Sequence, residues 1–326
     1  MAEALPLKGE PPDRRTALTL TTLIGVAFLT FLPFVIYLTS TPYYLIVASR
    51  IIVYALAATS LDLILGYGEM VSFGHALYLT LGAYSVAIPS AYGITDVWIH
   101  LAIAIVSGCF VALLTGLVAL RTRGVSFLMI TLAFGQMIYF LFISLKQFGG
   151  DEGLNIKTGS RFGPVDIAGP YTLYAILACS LVALLLLKRR FAASVFGTVL
   201  RAAASNEARV EALGYPVFRY RLVACIIAGI VCSIAGVFLA NITLFASPDY
   251  GTWDVSGTLM LMVALGGPGS TAGPVIGAAV LLLLEEVLKR FSAHWLGYFG
   301  VIVIALALFT TRGLAALFSS YSGHHS

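Results

Sequence analysis

Long apolar runs divided by short polar breaks fill most of the chain. They fall at Ala17–Leu38, Tyr43–Leu65, Phe73–Ala91, Val97–Leu120, Ser126–Leu145, Tyr171–Leu187, Tyr220–Phe245, Val255–Leu265, Val275–Leu288 and His294–Thr310. Most hold the roughly 17–25 residues with which a helix crosses a hydrocarbon core. Val255–Leu265 is too short to span unaided at about 1.5 Å per residue. Gly266-Gly267-Pro268-Gly269-Ser270 follows it at once and cannot continue a helix. The pattern predicts a broken or re-entrant segment there. It predicts an all-α integral membrane protein, a polytopic bundle of about 8–10 transmembrane helices with glycine-broken segments in two related halves.

Composition agrees with that pattern. The 326 residues are 60% hydrophobic and 10% charged, whereas soluble domains carry about 25% charged residues. One membrane domain, 17–311, is expected between a cytoplasmic N-terminal tail, 1–16, and a C-terminal tail, 312–326. Lys8, Arg14 and Arg15 precede the first run, which exceeds the ~7–15 apolar residues of an export signal and reads as a retained helix. Cys109, Cys179, Cys225 and Cys232 all lie in apolar runs and read as small core residues. Charge sets the orientation. Arg121 and Arg123, then Lys188, Arg189, Arg190, Arg201, Arg209, Arg219 and Arg221, fall on the cytoplasmic side, while Asp96, Asp249, Asp254 and the polar stretch 146–170 fall outside. The side of Lys289 and Arg290 depends on whether the short segment crosses.

Enzyme signatures are missing. The chain holds no phosphate-cradling G-x-x-x-x-G-K-[ST], H-E-x-x-H, C-x-x-C or G-x-S-x-G, so catalysis and a bound metal are not expected. The informative features are two glycine breaks. Ser72, Phe73, Gly74 and His75 stand in the first, and Gly266, Gly269 and Ser270 in the second. Interrupted segments paired this way line substrate paths, where unwound backbone faces a cavity instead of lipid; close helix packing is the competing explanation. Phe73 and Tyr78 are further path candidates. Arg50, about two turns into its segment, needs a partner, a cavity or the interface. Asp62 is placed near a helix end with water in reach, and Glu285 and Glu286 pair with Lys289 and Arg290 at i,i+4. With no chain of buried carboxylates, a proton-coupled carrier is disfavoured. Inside the basic stretch 188–219, Val199, Leu200, Ala203 and Ala204 form one apolar face. Ser205 and Asn206 cap a turn over Glu207–Leu213 that Gly214 ends.

Four blocks in order carry a resemblance: Leu65–Tyr84 (LGYGEMVSFGHALYLTLGAY), Arg121–Gln136 (RTRGVSFLMITLAFGQ), Arg201–Tyr220 (RAAASNEARVEALGYPVFRY) and Ser247–Ala279 (SPDYGTWDVSGTLMLMVALGGPGSTAGPVIGAA). From about residue 44 to residue 290 the chain resembles the LivM-type permeases of branched-chain amino acid ABC importers. The resemblance implies a multi-pass subunit of the bacterial inner membrane, not itself an enzyme. Its partners would be a LivH-like second permease, two cytoplasmic ATP-binding subunits and a periplasmic substrate-binding protein. The lipid bilayer surrounds such a subunit, and no nucleic acid is involved. ATP and magnesium would sit on the partner ATPases, with no cofactor on this chain. Asn206, Glu207, Ala208, Glu211, Ala212 and Gly214 would form the ATPase contact, similar to the E-A-A loop of import permeases although its E-A-A-x-x-x-G spacing is not reproduced. The loop around Gly149–Leu154 would face the binding protein. Substrates in this family run from leucine, isoleucine and valine to urea, short amides and aromatic acids. The alternative from another class is a stand-alone ion-coupled amino acid carrier.

Overall fold

The computed structural model describes residues 42–162, 165–166, 169–291 and 294–309. The first apolar run, the tails 1–16 and 312–326 and part of the 146–170 stretch lie outside them. Eleven α-helices form the described part: α1 Pro42–Gly68, α2 Leu77–Ala91, α3 Val97–Ala119, α4 Val125–Ser144, α5 Pro170–Ala193, α6 Val195–Ser205, α7 Glu207–Ala212, α8 Val217–Thr243, α9 Trp253–Gly266, α10 Gly273–Phe291 and α11 Trp295–Phe309. Four two-residue strands, β1 Leu154–Asn155, β2 Arg161–Phe162, β3 Val165–Asp166 and β4 Phe245–Ala246, make the antiparallel pairs β1–β4 and β2–β3. The chain is an all-α polytopic membrane protein. Among the described residues α1, α3, α4, α5 and α8 are long and apolar enough to cross a membrane. At about 1.5 Å per residue, α2 and α9 fall short of a ~30 Å hydrocarbon core.

Helix ends follow local chemistry. Asp96 caps α3 by accepting from Trp98 N at 3.1 Å, Ser194 caps α6 through Gly197 N at 3.3 Å, and Asn206 caps α7 through Arg209 N at 3.0 Å. Pro170 opens α5, where its missing N–H costs nothing. α1 and α8 are mostly enclosed and form the centre of the bundle, while α3, α4 and α5 turn much of their apolar surface outward, as lipid demands. α2, α3 and α1 all pack on α8, and the α9–α10 hairpin packs on α1. Glycine makes the closest approach possible: a Cβ on Gly82 would strike Ser233 O, and one on Gly236 would strike Leu79 O.

The bundle has two ends. At the basic end, Tyr67 of α1 lies under Arg201 of α6, and Arg123 reaches Glu207 of α7. At the loop end, β1 pairs with β4, Ile156 N donates to Leu244 O at 2.9 Å and Arg161 N donates to Thr95 O at 2.6 Å. The C-terminal turn of α10 is at the loop end, because Glu286 accepts from Tyr43 and Glu285 pairs with Arg50 at 3.5 Å. That settles which end carries Lys289 and Arg290. They do pair with Glu285 and Glu286 at i,i+4, at 2.5 and 3.6 Å. Arg50 takes an ion-pair partner and also covers the Tyr54 ring at 5.7 Å.

Several expected boundaries move. Helix α2 begins at Leu77, not Phe73, because the first break runs on through Ala76. α5 continues six residues past Leu187, and the basic residues in that extension stay helical. The basic stretch that follows holds two helices that meet at the Asn206 cap, where the capped turn is expected.

Candidate functional site

The first break, Glu69–Ala76, climbs back from the basic end into the bundle. It reaches the level of Ser60, whose Oγ lies 2.8 Å from His75 Nε2. Its freed backbone groups find partners in protein. Phe73 N donates to Thr131 Oγ1 at 3.2 Å, and Ala76 N donates to Ser256 Oγ at 3.0 Å. A side chain at Gly74 would run into Thr131 O, so only glycine lets the break lie against α4. Ser72, Gly74 and His75 are buried, and the half-buried Phe73 ring lies against Gly257 of α9. Ser72 and His75 line a cavity of about 30 Å³ with Tyr78, Thr115, Phe127 and Thr131. That is room for about two waters. Tyr78, whose orientation sequence could not supply, turns its hydroxyl to Thr115 Oγ1 at 3.0 Å.

The second break follows α9. Gly267 and Gly269 take positive φ, 101° and 75°, a region that residues with a Cβ rarely enter. Ser270 Oγ donates to Gly267 O at 2.8 Å and accepts from Gly273 N at 3.0 Å. Gly266 faces Gly273 too closely for any side chain. No residue of this break lines the first break's cavity. The second break meets instead the last turn of α1, where Gly66 touches Gly269.

A buried ion pair holds that junction. Lys188 Nζ of α5 lies 2.5 Å from Asp62 Oδ2 of α1, and both side chains are 0% exposed. Asp62 Oδ1 accepts from Gly269 N at 2.8 Å, and Lys188 Nζ donates to Ser270 O at 2.8 Å. Two expectations are corrected here. Asp62 has no water in reach, and Lys188 does not belong to the exposed basic stretch. A charge neutralised by a partner can be buried, and hydropathy of a single segment cannot show a partner 126 positions away. Asp62 is a single paired carboxylate, and the described residues hold no chain of buried carboxylates.

At the basic end, α6 and α7 fold back on the start of α8 around Val199, Ala203, Val210 and Val217. Glu207 is turned inward, 2.8 Å from Arg221 and 3.2 Å from Arg123. Asn206, Ala208, Glu211, Ala212 and Gly214 are exposed, as is Leu213 at 71%. Gly214, with φ 87°, ends the unit by donating to Glu211 O at 2.9 Å. At the loop end two unanticipated residues clamp the 146–170 stretch. His100 Nδ1 lies 2.8 Å from Ser160 Oγ, and Asn241 Oδ1 accepts from Ser160 N at 2.8 Å. Asp151 and Glu152 of the same stretch are exposed. The described residues hold no cluster of His, Cys, Asp and Glu that could bind a metal.

Residues 43–311, nearly the whole described chain, match the family of branched-chain amino acid transport system / permease components. The chain belongs to this family. Relatives agree. The high-affinity branched-chain amino acid transport system permease protein LivM of Salmonella typhimurium is 22% identical over 82% of this chain and 69% of its own length. Its namesake in Escherichia coli is 23% identical over the same shares. A probable branched-chain amino acid transport permease protein LivM from Methanocaldococcus jannaschii is 28% identical over 36% of this chain and 39% of its own length. This permease is a multi-pass transport subunit of the LivM type.

Proposed function

We propose that the permease is one membrane subunit of an ATP-driven importer that carries branched-chain amino acids, or a related small polar solute, into the cell. The family match over 43–311 carries this reading. A LivH-like permease, two cytoplasmic ATP-binding subunits holding ATP and magnesium, and a periplasmic binding protein complete the assembly. The protein lies in the inner membrane with its basic end in the cytoplasm, a reading supported by the exposed Arg121, Arg123, Arg190, Arg201, Arg209 and Arg219 at that end. The α6–α7 unit then faces the ATPase. Its contact is made by Asn206, Ala208, Glu211, Ala212 and Gly214 on the exposed side, with Glu207 holding the unit to Arg123 and Arg221. The loop around Gly149–Leu154 faces the binding protein.

The solute passes Ser72, Phe73, Gly74 and His75, then Gly266, Gly269 and Ser270. The cavity of about 30 Å³ beside Ser72 and His75 has room for about two waters, so passage of an amino acid there requires it to widen. Its lining sets hydroxyls and an imidazole among Ile64, Ala119 and Phe127 and carries no fixed charge, which suits a solute that must be released again. The test is uptake of radiolabelled leucine, isoleucine, valine and urea by proteoliposomes holding the complete assembly and its binding protein. Uptake that requires trapped ATP is expected. Uptake that ignores ATP and stops when the ion gradient is collapsed would identify an ion-coupled carrier instead.

A further inference from the structure

The Asp62–Lys188 pair is placed for more than stability. Both charges are fully buried, and such pairs often stabilise less than apolar residues of the same size would. What the pair does that leucine could not is hold backbone. Past Gly267, whose N–H still bonds to Val263 O, the second break is supported locally by a 3.4 Å Ser270 N to Gly267 O turn bond and by the Ser270 hydroxyl. Asp62 takes the Gly269 N–H and Lys188 takes the Ser270 carbonyl, each at 2.8 Å. Three segments distant in sequence, α1, α5 and the loop between α9 and α10, are thereby tied at one point.

The tie is also mechanically connected to the basic end. Lys188 stands on the last turns of α5, which passes through Ser194 straight into α6. One turn beyond Asp62, Tyr67 packs on Phe191 with ring centroids 6.1 Å apart and lies under Arg201 of α6 at 5.6 Å. A displacement of α6 is therefore passed through Ser194 and the last turns of α5 to Lys188, against an α1 that carries both Asp62 and Tyr67. We propose that Asp62 and Lys188 form a positioning latch that keeps the second glycine break closed and lets go when the α6–α7 unit moves. The inference rests on the transport reading above for its purpose, and on these contacts for its existence.

The reporter is Thr271→Cys, a half-buried position beside the latch that takes no part in it. Its rate of reaction with a membrane-impermeant thiol reagent is measured in membranes opened to expose both faces, and compared with the chain lacking that cysteine. Removing one charge alone leaves the other buried and unpaired and endangers folding, so the deciding variant is the neutral pair Asp62→Asn with Lys188→Met. The latch predicts that this variant stays folded, with Thr271→Cys reacting about tenfold faster because the open form is more populated. In the assembled importer the same variant should hydrolyse ATP without the binding protein and move less solute per ATP. Exchanging the charges, Asp62→Lys with Lys188→Asp, keeps an ion pair but sets an ammonium against the Gly269 N–H, so it too should open the break. An unchanged thiol rate in both double variants overturns the latch. So does a charge-exchanged pair that behaves as the native one, because the pair would then be an ordinary ion bridge. The thiol arm needs no ATPase, so failure of ATP-driven uptake in the unaltered protein would count against the importer reading and leave the latch to be decided separately.

Discussion

At the scale of single residues, the structure puts a cost where the first break begins. Glu69 has φ 52°, the left-handed region, and its side chain is exposed. A residue with a Cβ there loses roughly 1–2 kcal/mol to contact with its own carbonyl. Glycine avoids that contact but gives up roughly 0.5–1 kcal/mol of unfolded-chain entropy. Glu69→Gly is therefore expected to stabilise the protein by up to about 1 kcal/mol, read as a higher Tm in detergent; a fall in Tm would show that the Glu69 side chain makes a contact worth more than its strain. Residue-scale facts were also the least legible in sequence. The glycines and serines of both breaks stood out by type, because unwound backbone needs them. His100 and Asn241 did not, and Asp62 and Lys188 read only as charges near water, because each takes its meaning from a partner many residues away. The i,i+4 pairs of α10 were legible because their partners are one turn apart.

At the scale of elements, apolar runs located nearly every described helix, and errors gathered where helices end inside the bundle. Composition shows that a segment is apolar, but not whether its first turn is wound, and so Phe73–Ala76 read as helix. The short α9 was legible because a glycine-proline break followed it directly. How the elements approach one another depends on which glycines sit at crossings. Gly82 and Gly236 stand where α2 and α8 meet backbone to backbone, and a Cβ on either would collide with a main-chain oxygen. Main chain cannot swing aside as a flexible side chain can. Gly82→Ala or Gly236→Ala should force the helices apart and cost about 1–3 kcal/mol, as overpacked cores do. Gly257 of α9 is the internal comparison, since a Cβ there would meet only the Phe73 ring at an ordinary 3.8 Å. Gly257→Ala should be neutral, or stabilising by up to about 1 kcal/mol through helix propensity. Thermal unfolding of the three variants side by side checks the contrast, and equal Tm values for all three would mean that the α2–α8 crossing is looser than described.

At the scale of the whole molecule, the membrane class and the family were legible because each is spread over hundreds of positions, so no single misplaced boundary could undo them. The division of labour within the basic end was not. Sequence grouped Glu207 with Glu211 and Gly214 as one contact surface; in the fold Glu207 is ion-paired while Glu211 and Gly214 are exposed. Glu207 is a tether, bound to Arg123 and Arg221, and the exposed tip is formed by Glu211, Leu213 and Gly214. Leu213 is 71% exposed at the turn between α7 and α8, an apolar side chain at the end of the molecule that carries the exposed arginines. A helix that docks in a groove uses such a side chain as its anchor. In the proposed importer, Leu213→Asp should therefore leave Tm unchanged, because the side chain touches little of its own fold, while cutting ATP-driven uptake about tenfold, the loss of a buried leucine-sized contact. Glu207→Gln should do the opposite in order: it weakens the charge pairing of α7 with Arg221 and Arg123, lowers Tm first, and reduces uptake only as far as the unit loosens. Tm and uptake measured together separate the two. If Leu213→Asp transports as well as the native protein, the tip is not the ATPase contact and the coupling surface must be sought elsewhere on the basic end.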